Sequence, residues 1–246
     1  MTSTLIITMM IIGLLVGIGK TALGGLGLLS AALIAQVMPA KESTGVLLIL
    51  LLIGDLFAIG VYKNHVEWKF LQTLILPVFV GIVAGAIYLF HSTDNSLKRT
   101  IGLVVVFFVA VYPVSQYWQR HNEDISIRFP KTLRVFLGTS AGFMSMVANS
   151  GGPPMNIYLL LRKNSVFNFL GNTAWFFFIV NVSKLPFTLA LGLLNFNSLH
   201  YIIPAIPMVA IGALIGKKII SKIDQQLFRN ITLISTAAVG LKLIFF

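Results

Sequence analysis

The stretch "ANSGGPP", Ala148–Pro154, decides how the chain around it folds. It lies in the middle of the apolar run Val135–Leu161, whose 27 residues exceed the roughly 20 that cross a bilayer as a helix. Two adjacent prolines remove two backbone N–H donors and clash with the preceding helical turn. We therefore predict that the helix is interrupted inside this run.

A second stretch, "GKTALGGLG", Gly19–Gly27, interrupts the first apolar run, which has 35 residues, Leu5–Pro39. Backbone leaves the helix at bilayer depth only where it is buried in protein or lines a wet cavity. Broken helices of this kind surround the central sites of many transporters. The glycines have a plainer explanation as well, because small residues let membrane helices pack closely.

The composition predicts an integral membrane protein. Of the 246 residues, 57% are hydrophobic and only 10% are charged, so a soluble globular domain is excluded. The net charge of +11 does not indicate a nucleic-acid partner, because the basic residues lie in short loops between apolar runs, as in a protein that spans a lipid bilayer. With no cysteine and four scattered histidines, we predict no metal site.

Charges and turn residues divide the chain into eight apolar stretches. They are Leu5–Pro39, Gly45–Val61, Phe70–Phe90, Thr100–Trp118, Val135–Leu161, Phe169–Leu194, Leu199–Gly216 and Leu227–Phe246. Six of them have a length suited to one helical crossing with some tilt. The other two are the interrupted runs.

The loop charges indicate the topology. When Lys20 and Lys184 are left out, 16 Lys and Arg residues remain, and eight single crossings would divide them 7 against 9. If the fifth run enters and leaves on the same side, the division becomes 12 against 4, as the positive-inside rule favours. We predict that the basic face is cytoplasmic and that the C-terminus lies outside. The charges do not decide whether the first run is a hairpin or a single kinked span.

The order of features repeats after about 126 residues. Gly25 then aligns with Gly151, and Asp55 aligns with Asn181. We predict an all-α polytopic fold of two inverted repeats, each a broken or re-entrant hairpin followed by three transmembrane helices. The first repeat covers residues 1–118, a cytoplasmic linker covers 119–134, and the second repeat covers 135–246. By symmetry the first run is also a hairpin, and the two tips meet near the bilayer midplane.

The two tips carry the residues expected to bind substrate. Glycine allows the backbone to approach a ligand closely, and helix ends directed at the midplane present N–H groups to anions. Lys20 adds a cation, whereas Thr21, Asn149 and Ser150 add polar groups. The tips contain no carboxylate, so we predict a small oxyanion. The candidate binding residues are Lys20, Thr21, Gly24, Gly25, Asn149, Ser150, Gly151, Gly152 and Pro153.

Three further polar residues lie inside apolar runs, namely Asp55, Asn181 and Lys184. Intramembrane ionisable groups are costly and usually functional. One interpretation is that Asp55 carries a proton or gates a lysine. The other is that it pairs with Lys184 or Lys20 as buried structure, in which case removing one partner harms folding.

The chain resembles the TauE/SafE family of sulfite exporters. The first half carries the likeness in its glycine-rich tip and in "MPAKESTGVLLILLLIGDLFAIGVYKNHVEW", and the second half in "GTSAGFMSMVANSGGPPMNIYLLLRKN". "N-x-x-K" of Asn181–Lys184 is similar to a polar pair of that family. The resemblance identifies as motif positions Gly24, Gly25, Gly151, Gly152 and Pro153, with Asp55 and Lys184 as companions. The first motif, "GGLGLLS", is poorer in glycine than is usual there.

The resemblance implies an inner-membrane permease for sulfite, organosulfonates or related sulfur anions, without a cofactor. The sequence leaves open whether transport is coupled to protons, in which direction it runs and how many copies assemble. A passive anion channel of the same architecture is the alternative. No pairing of nucleophile and base supports an enzyme.

Overall fold

A computed structural model describes residues 3–22, 26–103, 106–107, 131–161, 166–194 and 199–219. Every regular element in these ranges is a helix, which confirms the predicted all-α membrane class. The helices are α1 Ser3–Thr21, α2 Leu26–Val37, α3 Ala40–Tyr62, α4 Trp68–Gln72, α5 Ile75–His91, α6 94–103, α7 Lys131–Ala148, α8 Gly152–Leu161, α9 Val166–Ala190, α10 Leu199–Ile202 and α11 Ile206–Ile219.

Three segments in the described ranges are long and apolar enough to cross a membrane, namely Ala40–His65, Phe167–Ala190 and His200–Ile219. Shorter apolar helices cover Leu5–Thr21, Leu26–Val37 and Ile75–His91. The side chains that they expose include many large hydrophobic ones, such as Leu76 and Phe90, as expected for a surface in contact with lipid. Most of the predicted fourth run and all of the eighth lie outside the described residues.

Both long runs are interrupted where the sequence predicts. The first divides into α1 and α2, which pack against each other, and the fifth divides into α7 and α8, which do the same. The helix α7 ends at Ala148, and Asn149 follows with a positive φ of 51°, a left-handed conformation that ends helices. Pro153 and Pro154 lie in the first turn of α8, where a missing N–H costs no helical hydrogen bond.

The helix α7 begins earlier than the apolar pattern indicates. It starts at Lys131, so residues 131–134 belong to this helix and not to the predicted linker 119–134. Lys131 is exposed, whereas Leu133 packs against a buried cluster. A polar residue at an exposed helix end hides the boundary, because only the buried face shows the helical pattern. The remainder of the linker lies outside the described residues.

The helices α3 and α9 form an antiparallel pair through the centre of the molecule. A Cβ atom on Gly45 would overlap the carbonyl of Leu193, and one on Gly171 would overlap the carbonyl of His65. Between these two contacts, Asn181 donates a hydrogen bond to Asp55. Since the residue number rises along one helix while it falls along the other, the two helices run in opposite directions.

Two further pairs pack closely through small residues. A Cβ on Gly142 of α7 would overlap the Val78 carbonyl of α5, and one on Gly212 of α11 would overlap the Leu14 carbonyl of α1. Such contacts let helix backbones approach each other in a membrane. The first helix of each half therefore packs against a late helix of the other half.

Candidate functional site

A cavity of about 70 Å³ lies between the two helix breaks and the α3–α9 pair. Since a space of roughly 10–15 Å³ holds one water, it has room for a solute of a few heavy atoms. Its polar lining residues are Lys20, Asp55, Ser145, Asn149, Ser150, Asn156, Thr173 and Asn181. Along α9 the lining extends from Phe169 to Asn181. The cavity therefore runs from the beginning of α9 to its middle.

Lys20 and Asp55 form an ion pair in the lining of this cavity. The Lys20 Nζ atom lies 2.6 Å from Asp55 Oδ1 and 4.7 Å from the centre of the Phe177 ring. The other carboxylate oxygen of Asp55 accepts a hydrogen bond of 2.7 Å from Asn181 Nδ2. Asp55 is completely buried, so both of its oxygens need these donors.

Lys184 lies on the same face of α9, one turn after Asn181, and is 1% exposed. Its Nζ donates to the Ser145 carbonyl at 2.8 Å, to Ser145 Oγ at 3.1 Å and to Asn149 Oδ1 at 2.7 Å. The three N–H groups of an ammonium match these three acceptors. All three acceptors are neutral oxygens, unlike the carboxylate that pairs with Lys20.

Asn149 connects Lys184 to α3. Its Oδ1 accepts from Lys184, and its Nδ2 donates to the Thr44 carbonyl at 2.9 Å. At the first break, Tyr62 Oη donates to the Thr21 carbonyl at 2.7 Å. Thr44 and Tyr62 are 18 residues apart on α3, which is about 27 Å along the helix axis.

The two breaks therefore contact different parts of α3, and both line the one cavity. Lys20, next to the first break, also packs against Gly54 near the middle of α3. That the two tips meet near the centre of the membrane stays a prediction. The breaks bracket the cavity, and the Asp55–Asn181 contact lies between them.

Of the other predicted binding residues, some line the cavity and some do not. The Thr21 hydroxyl donates to the carbonyls of Gly17 at 3.0 Å and Ala213 at 3.1 Å, and Thr21 does not line the cavity. Gly152 lines the cavity, whereas Gly151 packs against the Ala141 carbonyl. Gly24 and Gly25 lie outside the described residues, as does the side chain of Pro153.

Several polar residues of the site escaped the sequence analysis. The Ser150 Oγ, Asn156 Oδ1 and Thr173 Oγ1 atoms are buried and have no hydrogen-bond partner among the described residues; only Ser150 had been expected. A signal for Thr173 exists, because Thr173, Phe177, Asn181 and Lys184 follow one another at helical spacing along α9. Unpaired buried polar atoms that face one cavity indicate a place for a polar ligand.

The family comparison agrees with this architecture. The model for the family described as "Sulfite exporter TauE/SafE" matches residues 9–243. The chain belongs to the TauE/SafE family. Comparison with curated proteins and with solved structures found no match. Members of TauE/SafE are membrane-integral permeases and not enzymes, and membership supports transport of sulfite or a related small anion across the membrane.

Proposed function

We propose that this TauE/SafE protein is a secondary transporter of the inner membrane that moves sulfite or an organosulfonate and binds it in the cavity between the helix breaks. The observation that carries the proposal is a pair of buried hydroxyl groups in the lining of that cavity, Ser150 Oγ and Thr173 Oγ1, which have no hydrogen-bond partner among the described residues and share the lining with Lys20. Buried polar groups are normally hydrogen-bonded. An anion in the cavity accepts hydrogen bonds from both hydroxyls beside the Lys20 cation.

The reciprocal packing of the two halves supports an inverted repeat. Asp55 and Asn181 differ by 126 residues, the repeat period of the sequence, and they touch. When a residue contacts the equivalent residue of the other repeat, both lie close to the two-fold axis that relates the two repeats. Together with the antiparallel α3–α9 pair and the packed α1–α2 and α7–α8 hairpins, this supports two hairpins that enter from opposite leaflets.

The cavity lining reaches the beginning of α9, which supports an inward-facing state. Along α9 it begins near Phe169, a few residues after the basic pair Arg162 and Lys163 in the sequence. The positive-inside rule makes that loop cytoplasmic and leaves the C-terminus outside. The opposite end of the α3–α9 pair is closed by Gly45 against Leu193. An anion enters from the cytoplasm and stops at Asn149 and Asn181.

Asp55, Asn181 and Lys184 form the gating and coupling group of this proposal. In the described state, Asp55 neutralises Lys20, and Lys184 fixes Asn149 at the second break. Asp55 is the carboxylate of the described site at which a proton gradient can act. Its protonation releases Lys20 toward the substrate.

The test is transport by purified protein in liposomes. We expect saturable uptake of labelled sulfite that responds to an imposed pH gradient. Large single-channel currents that do not saturate would support the channel alternative. If neither flux nor current appears, the proposal is wrong.

A matched pair of variants locates the pathway. Ala174 is buried and lines the cavity, whereas Ala190 is exposed on the same helix. Ala174→Leu fills the cavity and should abolish uptake, while Ala190→Leu should transport normally. Equal uptake by the two variants, at equal insertion, would place the pathway elsewhere.

A further inference from the structure

A groove separate from the cavity between the helix breaks lies where α4 meets the first turn of α7. Its volume is about 580 Å³, which is within the range of roughly 300–1,000 Å³ that small-molecule sites occupy. Its lining comes from residues 67–73, from Arg134 and from Tyr158. These residues differ from those that line the cavity between the breaks, so the groove is a second candidate site.

The two helices that begin at this groove run in the same direction. A Cβ atom on Gly138 of α7 would contact Pro77 near the beginning of α5, and one on Gly85 of α5 would contact Met146 near the end of α7. The residue numbers therefore rise together along the two helices. Both helices leave the groove toward the same side of the membrane.

Large hydrophobic side chains become exposed directly after the groove residues on both helices. Leu76 at the beginning of α5 is 73% exposed, and Phe136 in the second turn of α7 is 68% exposed. Such side chains contact acyl chains in a bilayer. Lys131, at the beginning of α7, is exposed and charged. The groove therefore lies at the boundary between the headgroups and the acyl chains.

The charged lining of the groove carries a net positive charge. Among the described residues it consists of Lys69, Arg134 and Glu67, which sum to +1. Glu67 Oε1 accepts from Asn172 Nδ2 of α9 at 3.5 Å. The Arg134 Nε atom is buried and has no hydrogen-bond partner among the described residues. A buried N–H group without an acceptor indicates a place for one, and a guanidinium matches phosphate oxygens in geometry and charge.

Aromatic residues place the groove at the depth of the headgroups. Phe70 and Tyr158 are buried in its lining, with ring centres 5.4 Å apart. Trp68 is 45% exposed, and its ring centre lies 4.9 Å from that of Trp175. Tryptophan is enriched at the membrane–water interface, where its apolar ring and polar N–H are both accommodated. A ligand in this groove therefore has one end in water and the other in the acyl region.

We infer that this groove binds the phosphate of an anionic phospholipid, such as phosphatidylglycerol. Arg134 and Lys69 bind the phosphate oxygens, and the acyl chains follow the apolar surfaces of α5 and α7. One negative charge on the lipid balances the +1 of the described lining. Basic pockets between helices at the membrane surface bind anionic headgroups in this way. A soluble phosphate would make the same charge contacts but would gain nothing from the apolar surfaces.

The test measures thermal unfolding of the detergent-purified protein and is independent of transport. A ligand that binds only the folded protein raises its stability. Phosphatidylglycerol and phosphatidylcholine with identical acyl chains are compared, together with glycerol 1-phosphate, which lacks acyl chains. We expect phosphatidylglycerol to stabilise the protein at a concentration at least about tenfold lower than phosphatidylcholine, because hydrogen bonds between charged groups favour it. Glycerol 1-phosphate should have no effect at that concentration.

Two outcomes would overturn the inference. Equal stabilisation by the two lipids would show that the groove does not recognise the negative charge. Stabilisation by glycerol 1-phosphate equal to that by phosphatidylglycerol would identify a site for a soluble anion instead. An absence of sulfite uptake would contradict the proposed function and would leave this inference unchanged.

Variants locate the lipid, because a protein with a net charge of +11 also attracts anionic lipids elsewhere. Arg134→Gln and Lys69→Gln should each weaken stabilisation by phosphatidylglycerol at least about tenfold. Lys131→Gln removes the same charge from the same turn of α7 but does not line the groove, so it should behave as wild type. An equal loss in Lys131→Gln and Arg134→Gln would overturn the inference. If Arg134→Gln does not fold, the same comparison with Lys69→Gln decides.

Discussion

Lys20 and Lys184 reach the same site from opposite halves of the chain, yet their surroundings differ. Lys20 is 13% exposed and pairs with the Asp55 carboxylate beside the Phe177 ring. Lys184 is 1% exposed and donates only to neutral oxygens. The first lysine lines the cavity beside its carboxylate partner, whereas the second is not part of the lining and donates to Asn149, which is. One buried lysine therefore faces the cavity, and the other holds a lining residue in place.

The largest expected effect comes from breaking the balanced pair. Asp55→Asn leaves Lys20 without its counter-charge and should lower the free energy of unfolding by about 3–5 kcal/mol. Unfolding in mixed micelles measures this loss. The double variant Lys20→Met with Asp55→Asn removes both charges and should recover most of it. If the double variant is as unstable as Asp55→Asn, the pair is not what stabilises this region.

Lys184→Met should affect transport more than folding. The substitution keeps the length of the side chain but removes the Nζ group that holds Asn149, a residue that lines the cavity. Several hydrogen bonds to a charged group are lost, so we expect sulfite uptake to fall at least about 100-fold. Ser183→Ala, on the neighbouring face of α9, is the control and should transport normally. Uptake near the wild-type rate in Lys184→Met would show that transport does not need Lys184.

The smallest effects separate the two hydroxyl groups at the breaks. Ser150→Ala removes an unpaired hydroxyl from the cavity and should raise KM for sulfite about tenfold, as the loss of one hydrogen bond to a charged ligand predicts. Thr21→Val removes a hydroxyl that bonds to Gly17 and Ala213. It should leave KM unchanged and lower the free energy of unfolding by about 1 kcal/mol. The opposite assignment, with KM changed only in Thr21→Val, would place substrate at the first break.

Much of this site could be predicted from single polar or charged residues that lie inside apolar segments. Asp55, Asn181 and Lys184 are conspicuous because a bilayer makes them costly, and the structure brings them together near Lys20. Thr173 and Asn156 are not conspicuous, because a hydroxyl or an amide is common in a membrane helix. Only their burial beside one cavity, without partners among the described residues, marks them.

Composition and local chemistry determined that the chain is a helical membrane protein and where its two long runs break, because apolar length and paired prolines act over a few residues. The tertiary structure decided that Asp55 binds Lys20 and not Lys184, that Thr21 faces α11, and that both breaks line one cavity. These contacts join residues as far as 192 positions apart. Distances across packed helices depend on how far each helix extends and how closely its glycines let it approach, which no local stretch of sequence specifies.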